Sequence, residues 1–326
     1  MLAWLVDFLT DRKIQVILEN VYSDIVDINK GVPQGSILSP ILFIILLTNL
    51  PNITPILSKE LADDIAFSIT ADTHQEALIL MQDAIERFSD WCKTNKLTIN
   101  PQKTKVMCFS NSINQKIELK LDGILIDPVK KFKYLGMTLD APNLTWKDHI
   151  INLVSETENT LNMMKALTGT TWGADRKSLI KIYEAQIRNK ITYGCPAFIS
   201  LSDTYLKRLE SIQNSALRVA LGTWRSTRVA NMQTETNVEP LKLHIQQQSI
   251  TQYYKIKAMG PNNNVHAQIF NDNEIENQNY SRFFKKPFIL KTQSIIQNWN
   301  LPKTPPSKVS NTQSSPPGMT SQHTLN

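Results

Sequence analysis

The chain has little of what would tie it to a membrane or to an oxidising compartment. It has only three cysteines, Cys92, Cys108 and Cys195, which lie far apart and form no CxxC pair. That spacing supports neither a zinc site nor a disulfide framework, and a reducing intracellular setting, nuclear or cytoplasmic, is the default. The five histidines are scattered as well. No apolar run is long enough to span a bilayer, so no membrane partner is expected. The most apolar stretch, Ile41 to Leu47, is bracketed by Pro40 and Pro51 and reads as a buried helix. The apolar N-terminus, Met1 to Val6, lacks the basic segment and small-residue cleavage site of a secretory signal. No internal repeat is visible.

What is present suits a globular protein with a real core. The chain has 326 residues, 41% hydrophobic and 20% charged, enough for two or three folding units. The formal net charge is +6 and the pI is near 9.0, a basic excess compatible with a polyanionic partner but shared by many proteins without one.

Hydrophobic spacing divides the chain into an α+β part and an all-α part, with a boundary near residue 142. Residues 3–9 read as the end of a helix, and 14–18 and 25–28 as short strands. Residues 31–35 form a loop stiffened by Pro33, and Ser36 or Ser39 is placed to cap a helix over about 39–50. Ile65, Phe67 and Ile69 alternate as in a half-buried strand. Thr73 is placed to cap a helix over about 73–95. Strands are expected at 104–109, 117–121 and 133–139, with Asp122-Gly123 offering a hairpin turn. From Trp146 onward the spacing is helical, with helices from about 176 to 193, 203 to 221 (ended by Gly222) and 241 to 259. From about Gly260 the composition turns to Asn, Gln, Ser, Pro and Lys, and residues 302–326 read as disordered.

Asp63-Asp64 is the sharpest chemical feature. Two adjacent carboxylates repel each other, and here they sit among Leu61, Ala62, Ile65, Ala66 and Phe67. Burying such a pair is costly unless a cation compensates, and a divalent metal does this well. An isolated Asp-Asp is more commonly an acidic turn in water. The neighbouring motifs change that weighing. Gly31-Val32-Pro33-Gln34-Gly35-Ser36-Ile37-Leu38-Ser39-Pro40 resembles the GVPQGS-LSP signature of reverse transcriptases from non-LTR retrotransposons, the jockey-like group in particular. Leu61-Ala62-Asp63-Asp64 resembles the catalytic Ala-Asp-Asp turn that follows it. Leu97 to Thr104 looks like the next block, and Phe132-Lys133-Tyr134-Leu135-Gly136-Met137 like the YLG block at the palm–thumb junction. Ile191 to Pro196 and Leu206 to Leu221 resemble the helical region beyond the polymerase core. Several motifs in the right order carry far more weight than any one.

The resemblance implies an RNA-directed DNA polymerase that works on an RNA template, a DNA primer and deoxynucleotides. It implies a partial right-hand palm over 1–142, an antiparallel sheet packed on helices, then a helical thumb over 143–260 and a polar, mostly disordered tail over 261–326. Asp63 would bind the catalytic magnesium ions, with Asp64 as a supporting ligand. Pro33, Gln34 and Gly35 would line the nucleotide and template. Lys103 would sit near the leaving pyrophosphate, and Tyr134, Leu135 and Gly136 would grip the primer end. Each of these residues also has a plainer reading, as turn glycine, solvated loop or core packing.

Two departures stand out. Leu61 occupies a position that is usually aromatic in the family. The family also takes a metal-binding aspartate from an earlier block ending in Ala-Phe-Asp, and Asp7, Asp11, Asp24 and Asp27 lack that context. The expectation is therefore an N-terminally truncated polymerase with an incomplete two-metal site, inactive on its own. The alternative is a non-catalytic nucleic-acid-binding remnant. Basic residues from Lys165 to Arg228, with Trp172 and Trp224 near helix ends, suggest a face that tracks the phosphates of a primer–template duplex; an ordinary solvated helix surface is the competing view.

Overall fold

A computed structural model describes residues 2–48, 50, 56–110, 116–169, 172–270 and 288–302. The chain divides into two compact units, residues 1–132 with 140–144, and residues 133–139 with 145–326. Each is taken by itself.

The first unit begins with helix α1 (Leu2–Leu9) and two small antiparallel hairpin-like ladders, β1 (Arg12–Ile14) with β4 (Val26–Ile28), and β2 (Ile17–Leu18) with β3 (Val21–Tyr22). The expected strand over 14–18 is thus broken in two, and the chain reverses at Glu19 and Asn20, both at positive φ. Helix α2 (Ser39–Leu47) follows, then β5 (Leu57–Leu61) and β6 (Asp64–Ser68), paired antiparallel, and helix α3 (His74–Thr94). Thr73 caps α3 as its sequence suggests, its hydroxyl accepting the Glu76 N–H at 3.2 Å.

The α2 cap differs from expectation. The N-cap position is Leu38, which gives no side-chain cap. Ser36 Oγ instead accepts the Leu38 N–H, and Ser39 Oγ donates back to the Pro33 carbonyl. The expectation of a buried helix is also corrected. Ile41, Ile44 and Ile45 are each more than half exposed while Ser39 and Leu47 are buried, because among the described residues nothing covers the isoleucine face. Val16, Ile17, Leu18, Val21, Tyr22 and Val26 are similarly exposed.

The core of this unit lies farther along. Ile85 of α3 packs with Leu119, Leu121 and Ile126, and Leu78, Met81, Ile99 and Val106 close around them. Strands β8 (Lys120–Leu121) and β9 (Ile124–Leu125) form the hairpin expected at Asp122-Gly123, with both turn residues at positive φ (50° and 81°), the requirement of a type I′ turn. Helix α3 holds this hairpin with side chains acting as ladder partners. Gln82 receives the Lys120 N–H and donates to its carbonyl (2.9 and 3.0 Å). Asp122 meets Lys93 and Ser89, both at 2.6 Å, and the Lys93 contact holds its carboxyl below the usual range. The strand expected over 104–109 shrinks to β7 (Lys105–Val106), which pairs in parallel with β10 (Asp127–Pro128). All strands pair in twos among the described residues.

The second unit is helical. A single strand was expected over 133–139. Instead β11 (Lys131–Tyr134) and β12 (Met137–Asp140) form a hairpin, because Leu135 and Gly136 both take positive φ (46° and 80°) and reverse the chain. Helix α4 (Lys147–Ala166) buries Ile150, Leu153, Val154, Leu161 and Met164, the face its spacing defines, and packs on α7 (Asp203–Leu221). Between them the helix expected over 176–193 runs as α5 (Arg176–Ile182), a π-helical segment Tyr183–Arg188 and α6 (Asn189–Thr192). Buried Tyr183 donates to Gln213 at 2.7 Å, and Gln213 donates to the Glu239 carbonyl, so these two side chains are satisfied inside the core. Gly222, at φ 61°, ends α7 with a left-handed cap. Helices α8 (Val229–Thr236) and α9 (Leu241–Ala258) follow.

Two further helices lie within the polar tail, α10 (Asn264–Phe270) and α11 (Phe288–Asn298). Ile289, Ile295 and Ile296 pack on Ile250 and Tyr253 of α9. The expectation of disorder over 302–326 falls, beyond residue 302, outside the described residues. Cys92 and Cys195 are buried, and burial raises their thiols to about 11 and about 12, which keeps both protonated and unreactive at neutral pH.

Candidate active site

Asp63 and Asp64 sit at the crest of the β5–β6 hairpin. The register pairs Leu61 with Asp64, leaving Ala62 and Asp63 as a two-residue loop. Ala62 is held at φ 54°, a left-handed conformation unfavourable for a residue with a Cβ. Positive φ at a two-residue hairpin loop is normally supplied by glycine. The hairpin thus stores local strain directly beside its two carboxylates, a pattern found at functional sites. Both aspartates are exposed, and neither accepts a hydrogen bond or joins an ion pair among the described residues. Leu61 is 58% exposed beside them. The carboxylate pair is therefore not buried among its apolar neighbours; it stands out from them, with its lone pairs free.

The 31–36 loop is shaped from both ends. Arg12, absent from the sequence reading, donates to the carbonyls of Leu9, Lys30 and Gly31 (3.1, 3.0 and 2.7 Å) and fixes where the loop starts. At the other end, Ser39 and the Ser36 N–H both bond the Pro33 carbonyl. Gly31 and Gly35 take φ values of 72° and 89°, open only to glycine without strain. Gln34 and Gly35 are exposed and Pro33 is half-buried. No hydrogen bond or ion pair among the described residues links this loop to Asp63 or Asp64. Lys103 lies in a third local structure, a turn in which Asn100 Oδ1 accepts the Gln102 and Lys103 N–H groups (3.0 and 3.3 Å). Its side chain is exposed and carries no acidic partner among the described residues.

In the second unit, Leu135 and Gly136 form the β11–β12 turn. The Tyr193 hydroxyl donates to the Leu135 carbonyl at 3.1 Å, and a Cβ on Gly136 would lie 3.2 Å from the Tyr193 ring. A Cβ on Gly194 would lie closer still to its neighbour, the Met137 sulfur. The Tyr193-Gly194 pair thus clamps the YLG turn, a role that sequence spacing did not reveal. Beside the turn lies a polar cavity of about 370 Å³ lined by Lys133, Thr138, His149, Asn152, Gln186 and Lys190, among others. His149 is buried, accepts the Thr138 N–H at Nδ1, and has no partner at Nε2. Desolvation lowers its pKa; Lys133 adds to the effect and Glu156 opposes it.

Not every basic residue of the helical unit is free to meet a phosphate. Arg176 is engaged by Glu235, Lys190 by Glu156, and Arg188 by Glu184 and Glu239.

Known proteins bear directly on these turns. Residues 2–139 match the family model for reverse transcriptase (RNA-dependent DNA polymerase). The chain is 27% identical over 223 residues to the RNA-directed DNA polymerase from mobile element jockey of Drosophila funebris, covering 66% of this chain and 24% of that protein. It is 30% identical over 227 residues to the probable RNA-directed DNA polymerase from transposon BS of Drosophila melanogaster, covering 65% and 24%. The jockey polymerase of Drosophila melanogaster matches at 27% over 255 residues, 76% and 28%. The chain spans about a quarter of the length of these curated relatives. The loop at 31–36, the acidic crest at 63–64 and the YLG turn all lie in the segment that matches the reverse transcriptase family model, and over about two thirds of its length the chain is similar to polymerases of jockey-type mobile elements.

Proposed function

We propose that this chain is part of an RNA-directed DNA polymerase that extends a DNA primer on an RNA template from deoxynucleotides. The observation that carries this reading is the pair of unpartnered carboxylates at a strained hairpin crest, in a segment that matches the reverse transcriptase family. In such an enzyme bound magnesium would supply charge stabilisation at the primer hydroxyl and at the leaving pyrophosphate. Hard, exposed carboxylate oxygens suit magnesium, and Asp63 and Asp64 would hold it. Their donor set is incomplete: among the described residues no cluster of three or more His, Cys, Asp or Glu side chains is placed to hold a metal.

The remaining residues act by position. Gly31, Pro33 and Gly35 hold a rigid backbone edge against which a nucleotide and template base can lie, and Arg12 keeps that edge in place. Lys103, without an acidic partner among the described residues, would offer its ammonium to the charge that develops on pyrophosphate. The turn at Tyr134, Leu135 and Gly136 would hold the primer strand, with residues 1–142 as the palm part and the helices after it as the thumb.

Primer extension tests this reading. A jockey polymerase in which residues 2–139 of this chain replace the matching segment should extend a primer with magnesium, and Asp63→Asn should abolish extension. The 326-residue chain alone should extend poorly, because residues 1–62 contain no aspartate in the Ala-Phe-Asp context. A folded chimera whose activity survives Asp63→Asn would refute the assignment.

A further inference from the structure

The loop between α7 and α8 presents an aromatic ring that the fold does not use. Trp224 is 83% exposed, whereas most large aromatic side chains in this unit are packed. The loop beneath it is well anchored. Gly222 caps α7, and the Thr223 N–H bonds the Arg218 carbonyl at 3.2 Å. Thr223 Oγ1 donates to the sulfur of buried Met232 at 3.4 Å. The Thr227 N–H then bonds the Trp224 carbonyl at 3.0 Å, closing a turn with the indole on its outside. A rigid base with a bare indole at its tip is the reverse of ordinary core packing.

The charge around this ring is of one sign. Between Glu210 and Glu235 there is no acidic residue, while Arg218, Arg225 and Arg228 all fall in that interval. Arg225 and Arg228 are exposed and have no acidic partner among the described residues. Glu235, the next carboxylate along the chain, is already engaged by Arg176 at 2.6 Å. Among the described residues no carboxylate neutralises Arg225 or Arg228, in contrast to Arg176 and Arg188.

We propose that the Trp224 loop is a binding site for single-stranded nucleic acid, with the indole stacking on an unpaired base and Arg225 and Arg228 holding the flanking phosphates. An exposed ring flanked by guanidinium groups is the usual sequence-tolerant platform for a single strand, because every base has a π-face. Arginine's planar fork matches phosphate oxygens. A duplex offers such a ring no free base face except at its ends, which favours unpaired template over paired primer–template. This inference rests on the polymerase reading for its choice of nucleic acid over other polyanions.

The test uses the 326-residue chain and three probes: an unstructured single-stranded RNA of about 15 nucleotides, a duplex of the same length, and vesicles containing phosphatidylserine. Trp224→Ala should weaken single-strand binding at least about five-fold, and Trp224→Phe should recover most of it. The pair Arg225→Glu and Arg228→Glu should flatten the logarithmic salt dependence by about 1.4, or roughly 0.7 per phosphate contact. Because Trp224 is exposed, thermal midpoints should not move. Unchanged single-strand binding in Trp224→Ala, with duplex binding intact, overturns this inference and leaves the polymerase reading standing. Absence of binding to both nucleic acids overturns both. Vesicle binding lost in Trp224→Ala while RNA binding stays constant assigns the loop to a lipid surface and overturns it too.

Discussion

The Tyr193 hydroxyl and the Leu135 carbonyl are joined by a 3.1 Å hydrogen bond that ties a helix end to the YLG turn. Leu135 and Gly136 need positive φ to make that turn, and Tyr193 lies over the side where a Cβ on Gly136 would emerge. Gly136→Ala should therefore destabilise the helical unit by about 1–2 kcal/mol, since it combines backbone strain with a close ring contact. Tyr193→Phe, which removes one partly exposed hydrogen bond, should cost about 0.5–1 kcal/mol. Urea unfolding of the two variants and their double mutant would measure this, and the effects should not add, because the residues touch.

The Asp63 crest should be dispensable for folding. Both aspartates are exposed and, among the described residues, unbonded, so Asp63→Asn and Asp64→Asn should each change stability by less than about 0.5 kcal/mol. Ala62→Gly should stabilise the hairpin by up to about 1 kcal/mol, because glycine takes φ 54° without a Cβ penalty. Amide hydrogen exchange of β5 and β6 would report both effects.

Acid should loosen the helical unit through His149. Burial holds its folded pKa below the ordinary value of about 6.5, so the unfolded chain binds the proton more readily. The contribution of neutral His149 is complete above that pH and declines as pH falls below it. Thermal midpoints at pH 8 and pH 5 should differ more in the wild type than in His149→Gln.

The two ion-paired arginines should behave differently. Arg188 is largely buried and meets Glu239 at 2.8 Å, with His244 Nδ1 at 2.6 Å from the same nitrogen, so Arg188→Ala leaves the partly buried Glu239 carboxylate with His244 but without its guanidinium partner. A loss of about 2–3 kcal/mol is expected. Arg176 is 42% exposed, and Arg176→Ala should cost less than about 1 kcal/mol. Denaturant midpoints separate the two.

Helices were the most legible part of the fold, because apolar spacing and caps are local signals. The faces of α4 and α7, the Thr73 cap and the Gly222 stop all follow from their residues. The Asp122-Gly123 turn was legible for the same reason. Leu135-Gly136 was not, because a leucine at positive φ carries no turn signal and the flanking residues read as one strand. The π-helical segment Tyr183–Arg188 contains neither proline nor glycine to mark it. Exposure of Ile41, Ile44 and Ile45 depends on what covers a face, which periodicity cannot supply. At the candidate site the motifs pointed to Asp63, Asp64, Gly35 and Lys103 by type, as the proposal uses them. The helpers Arg12 and Tyr193 act over long sequence separations through backbone carbonyls, and no motif encodes such bonds.

Metal binding at the hairpin crest is the most direct test. Manganese(II), a paramagnetic stand-in for magnesium, can be titrated into the labelled chain while amide resonances are followed. Selective broadening of Ala62 to Ile65 is expected, reversed by excess magnesium and lost in Asp63→Asn. Broadening that spares these residues, or that persists unchanged when both aspartates are replaced by asparagine, would contradict the assignment of this turn as the polymerase's metal-binding crest.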